Sequence, residues 1–227
     1  MGSTSVLIIG ENIAEQLVPF KITDEKFGTE ELHFLGWSIG PNTSEWQYAL
    51  KLLSGRNTPQ QHSRGDEPPG LAYSAFKGDI DFQGMMEEAR REAGTIWEEA
   101  RRIGFPTENG LHTRHGQPLQ VEDLLEKLSI FMKDRYAADA LPYAWHNFLD
   151  IKRLAYPKDR YIDLRFKDRL AEPYILLDHK LISSESFAAQ SSSKDPGLQW
   201  DRWLDFTAEL VQAQAKDALI SKVYLRQ

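Results

Sequence analysis

The stretch YIDLRFKDRLAEPYILLDHKLI, Tyr161–Ile182, decides the fold that we predict for this chain. In its first part, Ile162, Leu164 and Phe166 alternate with charged residues, which is the pattern of a strand with one buried and one solvent-facing side. The second part, Pro173–Ile182, is an apolar run that we expect to be its antiparallel neighbour. The sequence therefore predicts a pair of strands joined by a short turn.

Strand patterns also occur near both ends of the chain. The apolar run SVLIIG predicts a buried strand over Ser5–Gly10, followed by a short helix that Pro19 ends. The segment HFLGWSIG predicts a second strand, and ALISKVYLR predicts a final one. Between the strand pair and the final strand, we expect a loop over Ser183–Gly197 and then a helix that contains Trp200 and Trp203.

The middle of the chain has apolar residues at helical spacing. We predict helices over three segments: Phe82 to Ile103, from near Pro118 to about Tyr136, and Ala140 to Tyr156. These form a helical block, residues 83–156, inserted between the N-terminal strands and a C-terminal strand–strand–helix–strand unit. We expect residues 1–227 to form a single domain.

This order of elements indicates the α+β class, because the helices are segregated from strands that pair through a short turn. We expect a small mixed or antiparallel sheet with the helical insertion in the middle of the chain. A ferredoxin-like sheet, built on a split βαβ unit, is the arrangement that the order favours.

Composition excludes several function classes. The formal net charge of −7 argues against broad, sequence-independent binding of nucleic acid, which requires many Lys and Arg contacts to phosphate. The absence of cysteine excludes disulfides, Cys-ligated zinc and thiol nucleophiles. No apolar run approaches the roughly 20 residues that span a bilayer, and the first residues do not resemble a secretory signal. We expect a cytoplasmic protein without membrane association.

The common catalytic signatures are also absent from the sequence. It contains no phosphate-binding Gly-x4-Gly-Lys-Ser/Thr loop, no Gly-x-Gly-x-x-Gly, no His-Glu-x-x-His and no Gly-x-Ser-x-Gly. We therefore expect no cofactor, and the balance leans away from an enzyme.

The segment HTRHGQP contains the residues that come nearest to a reactive site. His112 and His115 stand three residues apart and could coordinate one metal ion, or with Arg114 could hold an anion at the start of the following helix. Glu122 and Asp123 count against the anion, since they already occupy the positive end of that helix. A polar loop without a ligand is the interpretation that the sequence favours.

A second candidate lies at the end of a predicted strand. Asp178 and His179 could belong to an acid–base constellation in which a carboxylate orients an imidazole. Adjacent residues of a strand point to opposite faces, however, so Asp178 is badly placed to orient His179. An ordinary strand end is the favoured interpretation.

Two segments resemble a group of uncharacterised proteins of bacteriophages and of bacteria that carry them. VLIIGENIAEQLVPF, Val6–Phe20, is similar to the group's opening strand and "QLxPF" helix, and AFKGDIDF, Ala75–Phe82, is similar to an internal segment. The order of the last elements is similar as well. The aromatic segment before the internal motif matches only at Trp37, Ile39 and Gly40. The resemblance implies a phage or mobile-element origin and carries no activity.

These observations favour an accessory protein that acts by binding a protein of host or phage origin in the cytoplasm of the host cell, as an inhibitor or modulator. Two alternatives stay open. One is a small hydrolase or nucleotide-processing enzyme that uses His112, Arg114, His115 and His179. The other is a virion or assembly component, which would form homo-oligomers.

Overall fold

The computed structural model describes residues 3–21, 34, 36–40, 49–57, 59, 68–106, 126–128, 130–131, 151–190 and 193–226. The chain divides into two compact units. Unit 1 comprises Met1–Phe82 and Lys167–Gln227, and unit 2 comprises Gln83–Phe166. Unit 2 begins where the predicted helical block begins, and it ends at Phe166 instead of residue 156.

The elements of unit 1 are, in chain order: β1 (Ser3–Ile9), α1 (Ile13–Leu17), a 3-10 helix (Val18–Phe20), β2 (Gly36–Ile39), β3 (Leu50–Lys51), β4 (Leu71–Ala72), β5 (Ser74–Phe76), a second 3-10 helix (Lys77–Asp79), β6 (Tyr174–Leu177), β7 (Lys180–Ser183), α5 (Ser184–Ala189), α6 (Pro196–Ala213) and β8 (Leu219–Arg226). Unit 2 contains α2 (Phe82–Arg102), α3 (Ile151–Ala155) and α4 (Lys158–Asp168), and residues 126–128 and 130–131 are helical as well. Helix α2 starts one residue before unit 2, and α4 ends two residues beyond it.

The main sheet has the strand order β2-β8-β1-β6-β7. Strand β5 pairs with the first residues of β8, on the same edge on which β2 pairs with its last residues. Strands β1 and β6 are parallel, whereas β8 is antiparallel to β1 and β7 is antiparallel to β6. The α+β class with a mixed sheet is therefore confirmed. The ferredoxin-like arrangement is not the one found: a split βαβ unit has a strand between its two parallel strands, whereas β1 pairs directly with β6.

Both faces of the central strand β1 are buried. Val6 and Ile8 pack with Leu17 and Phe20 of the following helical turns, while Leu7 and Ile9, on the opposite face, are also buried. A strand that is covered on both faces reads as a continuous apolar run, which is why SVLIIG was recognisable as a strand.

The prediction that YIDLRFK forms a strand is wrong, because these residues belong to helix α4. The helix starts after Pro157, whose carbonyl accepts a hydrogen bond from the Tyr161 N–H at 3.0 Å. Alternate residues lie about 200° apart on a helix, so the burial of Ile162, Leu164 and Phe166 together means that α4 is covered on more than one side. A helix of that kind produces the same short alternation as a half-buried strand.

The strand predicted over Pro173–Ile182 is two strands. Asp178 and His179 form a two-residue turn between β6 and β7, so the antiparallel partner lies within the segment itself and not in residues 161–167. The predicted loop over Ser183–Gly197 is also interrupted by a helix. Helix α5 begins after Ser183, whose side chain accepts a hydrogen bond from the Ser186 N–H at 3.0 Å.

Several other described elements agree with the sequence-based predictions, whereas the short strands β3, β4 and β5 were not predicted. Helices α2 and α6 and strands β2 and β8 lie where their patterns predict them. Residues 126–128 and 130–131 are helical, within the helix predicted from near Pro118 to about Tyr136. The remainder of that helix and Ala140–Asp150 lie outside the described residues.

Candidate binding site at the outer edge of the sheet

The candidate residues of the HTRHGQP segment, His112, Arg114 and His115, lie outside the described residues. Their proposed metal, anion and catalytic roles therefore stay predictions. His179 is the one member of that candidate set that the structure describes. It is exposed at the tip of the β6–β7 hairpin, in unit 1.

The hairpin turn holds two side-chain-bearing residues in an unfavourable backbone conformation. Asp178 has a φ of 49° and His179 a φ of 63°. A type I′ turn requires positive φ at both central residues, and Asn-Gly or Asp-Gly is the usual solution. Left-handed backbone costs a residue with a Cβ atom roughly 1–2 kcal/mol. The chain thus has a histidine at a position where glycine would be more stable.

A cavity of about 630 Å³ lies beside this turn. One side is formed by Pro19 and Phe20 of the first 3-10 helix, and the other by residues 177–182 of the hairpin. Lys180, Leu181 and Ile182 all contribute, although consecutive residues of a strand point to opposite faces. The cavity therefore reaches the edge of β7 and is not confined to one face of the sheet.

Strand β7 is the last strand of the sheet in the described part of the chain, and no described strand pairs with its outer side. In a two-residue hairpin the pair that flanks the turn is hydrogen-bonded, and such pairs alternate along the ladder. Leu177 and Lys180 flank the turn, so the next pair, Leu176 with Leu181, is not hydrogen-bonded. The Ser184 N–H donates to the Pro173 carbonyl at 2.9 Å, which fits this alternation.

Leu181 consequently directs its backbone N–H and C=O away from β6, toward the outer edge and the cavity. Its side chain packs against the buried cluster that contains Phe20. The edge next to the cavity thus combines an apolar wall with one main-chain donor and one main-chain acceptor that have no hydrogen-bond partner among the described residues. The exposed side chains of Asp178, His179 and Lys180 surround it.

The QLxPF residues explain how the opposite wall is held in place. Gln16 is buried, and its Nε2 donates to the Glu11 carbonyl at 2.9 Å, which fixes the turn between β1 and α1. Leu17 and Phe20 are buried in the core, and Pro19 begins the short 3-10 helix with Val18. Val18 is left 68 % exposed beside the cavity wall.

The second motif, AFKGDIDF, fixes the end of α6 to the sheet. The Lys77 ammonium donates to the carbonyls of Gln212 and Gln214 at 2.5 and 2.6 Å. The Gly78 N–H donates to the Lys216 carbonyl at 2.7 Å, and a Cβ atom on Gly78 would lie 3.0 Å from that oxygen. Both motifs that carry the phage-type resemblance therefore have structural roles in unit 1.

Unit 1 contains a buried ion pair that was not predicted from the sequence. Lys222 and Glu172 are 1 % and 7 % exposed, and the Lys222 Nζ lies 3.0 Å from the Glu172 Oε1. The Ser5 hydroxyl donates to the other carboxylate oxygen at 2.5 Å, and the Trp203 Nε1 donates to the Glu172 backbone carbonyl at 2.9 Å. The sequence does carry one indication of this pair: Lys222 lies within the apolar strand LISKVYLR, and a charge that is buried in such a strand needs a partner of opposite charge.

Unit 2 contains a different buried polar group, the phenol of Tyr161. Burial raises the pKa of Tyr161 well above its usual value, although the guanidinium groups of Arg165, Arg153 and Arg101 act in the opposite direction. Arg101 lies 4.6 Å from the ring centroid of Trp97. It also donates to the backbone carbonyls of residues 105 and 154, so this guanidinium is bound internally.

The described residues do not form an acid–base constellation around His179. Neither Asp178 nor His179 has a hydrogen bond or ion pair with another described residue. The described residues also contain no group of three or more His, Asp or Glu side chains that could hold a metal ion. Among the described helices, none has the length and apolar character that a membrane span requires.

Comparison with protein-family models, curated proteins and solved structures finds no match for this chain.

Proposed function

We propose that this chain acts by binding another protein, and that an extended segment of the partner pairs with the outer edge of β7. The observation that carries the proposal is the cavity beside the hairpin, which is lined by three consecutive residues of β7, the last strand of the described sheet. A main-chain donor and acceptor next to an apolar pocket is what strand addition uses.

The chemistry of the edge defines the kind of segment that fits. The backbone N–H and C=O of Leu181 take one residue of an extended chain through two hydrogen bonds. An apolar side chain of that segment enters the cavity between Pro19, Phe20 and Leu181. The exposed Lys180 favours an acidic side chain of the partner at the rim, and Asp178 disfavours one on its own side of the turn.

We further propose that the partner is a protein of the host or of a phage and that binding takes place in the cytoplasm. The support is the resemblance of Val6–Phe20 and Ala75–Phe82 to a phage-type group. In this chain one of these segments forms a wall of the cavity, and the other fixes α6 to the sheet.

Two substitutions distinguish the contribution of the Leu181 backbone N–H to binding from that of the Leu181 side chain. Leu181→Ala shortens the side chain and keeps the N–H, whereas Leu181→Pro also removes the N–H, which proline tolerates at the outward-facing positions of an edge strand. The wild type and both variants are used for affinity capture from bacterial lysate at several salt concentrations. The affinity of the captured partner for each variant is then measured, and circular dichroism confirms folding.

We expect Leu181→Pro to bind about ten-fold more weakly than Leu181→Ala, since a partner carbonyl left without its donor costs about 1–3 kcal/mol. Equal affinities of the two folded variants would show that the partner does not pair with this edge. Capture of no specific protein by the wild type at any salt concentration would contradict protein binding itself.

A further inference from the structure

The side chains of β7 point alternately to the two faces of the sheet. Leu181 packs against the buried cluster that contains Phe20, so its side chain lies on the same face of the sheet as Phe20. Successive side chains of a strand point to opposite faces, which places Lys180 and Ile182 on the other face. A segment that pairs with β7 therefore meets an apolar wall on one face, and a lysine and an isoleucine on the other.

The hydrogen-bonding pattern of the proposed pairing determines which residues stand opposite each other. Leu181 binds a single residue of the segment through both its N–H and its C=O, which is the pattern of an antiparallel, hydrogen-bonded pair. The neighbouring pairs, at Lys180 and Ile182, are then not hydrogen-bonded, and in such pairs the side chains approach each other most closely. Lys180 faces the residue that follows the one opposite Leu181, and Ile182 faces the residue that precedes it.

Lys180 is the charged side chain in this row. It is exposed, and it makes no hydrogen bond or ion pair with another described residue. Its partner in β6 is Leu177, which carries no charge, and Asp178 lies in the turn beyond this last pair. Opposite charges directly across a strand pair are stabilising, whereas like charges are destabilising. Lys180 therefore selects the sign of the charge at one defined position of the segment.

We propose that the segment bound at β7 has the pattern apolar, bulky apolar, acidic, read from its N-terminal to its C-terminal residue. The middle side chain enters the cavity of about 630 Å³ between Pro19, Phe20 and Leu181. The first side chain covers Ile182, which is partly exposed, and the acidic one pairs with Lys180. This inference rests on the proposed strand addition, and it adds the sequence that the edge recognises and the direction in which the segment runs.

A selection from random heptapeptides displayed on phage tests this pattern. The full chain is immobilised, and the selection is repeated on Leu181→Pro, on Lys180→Glu and on a matched control. The control, Lys194→Glu, reverses the charge of an exposed lysine that does not line the cavity. Thermal unfolding confirms that all four proteins are folded. Peptides that Leu181→Pro enriches as strongly as the wild type are removed, because their binding does not need the edge.

We expect the wild type and Lys194→Glu to enrich peptides in which an acidic residue directly follows two apolar residues. Lys180→Glu should enrich lysine or arginine at that position and keep the two apolar residues, since the substitution reverses the charge that faces this position alone. Enriched peptides without the acidic residue, or an acidic preference that Lys180→Glu retains, would overturn the proposal. The reverse order, with the acidic residue before the apolar ones, would contradict the antiparallel direction and overturn it as well.

The affinities of one selected peptide, and of its variant with lysine in place of the acidic residue, measure the preference. In fluorescence anisotropy, the wild type should bind the acidic peptide about five-fold more tightly, and Lys180→Glu should bind the lysine peptide more tightly. Equal affinities of the wild type for the two peptides would overturn the charge pairing and leave strand addition standing. Failure of strand addition itself gives a different result, because the wild type and Leu181→Pro would then enrich the same peptides or none, and the pattern would fall with it.

Discussion

Replacement of Lys222 by methionine tests the buried ion pair of unit 1. The change keeps the length and apolar stem of the side chain but removes the Nζ that lies 3.0 Å from the Glu172 Oε1. It leaves a carboxylate that is 7 % exposed with the Ser5 hydroxyl as its remaining side-chain donor. Breaking one partner of a buried pair costs about 3–5 kcal/mol, because the other charge stays buried without compensation.

The magnitude can be measured by urea unfolding followed by tryptophan fluorescence. With an m value of about 3 kcal/mol per M, a loss of that size lowers the midpoint by roughly 1 to 2 M. The control, Lys216→Met, removes an exposed lysine and should change stability by less than about 0.5 kcal/mol.

A double-mutant cycle then isolates the pair from the individual side chains. Lys222→Met and Glu172→Gln should each be destabilising, whereas the double variant should lose less than the sum of the two, with a coupling energy of about 2–3 kcal/mol. A cost below about 1 kcal/mol for Lys222→Met, or additive costs in the double variant, would refute the reasoning.

Three further predictions concern single positions. His179→Gly should raise the free energy of unfolding by about 1 kcal/mol, since glycine adopts the φ of 63° without strain; a lower melting temperature would contradict this. Gly78→Ala should lower the free energy of unfolding by about 1–3 kcal/mol, measured in urea, because its Cβ atom would lie 3.0 Å from the Lys216 carbonyl oxygen. The control, Gly36→Ala, has open space around the added Cβ atom and should change stability little. Equal effects of the two substitutions would contradict this prediction. Because the pKa of Tyr161 is raised in the folded chain, the unfolded chain releases the phenol proton from about pH 10 upward while the folded chain retains it. The melting temperature of the wild type should therefore fall as the pH rises above about 10, and that of Tyr161→Phe should fall less steeply. Parallel profiles of melting temperature against pH would contradict this.

The elements that the sequence predicted well are those with a strong and simple pattern. The run SVLIIG can only be a buried segment, and α2 and α6 carry long apolar stripes at helical spacing. In contrast, the alternation in YIDLRFK extends over seven residues and does not reveal whether one or several sides are covered. Helix α4 is buried on more than one side because of the way it packs in the folded chain, which the local sequence does not show.

The candidate site was harder to predict than the fold. Asp-His lacks the glycine that usually marks a two-residue hairpin, so the sequence does not predict the turn between β6 and β7 and predicts a strand end at His179 instead. The cavity joins Pro19 and Phe20 to residues 177–182, which are far apart in the sequence and meet only because β1 and β6 pair in parallel. Periodicity cannot show such a long-range contact.

The most direct test of protein binding at the sheet edge is amide hydrogen exchange in β7, measured residue by residue with and without the captured partner. In the free protein, the Leu181 amide should exchange much faster than the Ile182 amide, which is hydrogen-bonded to β6. Addition of the partner should slow exchange at Leu181 and leave the exposed part of α6 around Glu209 unchanged. A Leu181 amide that is already as protected as that of Ile182, or one that stays unprotected in the complex, would contradict the account.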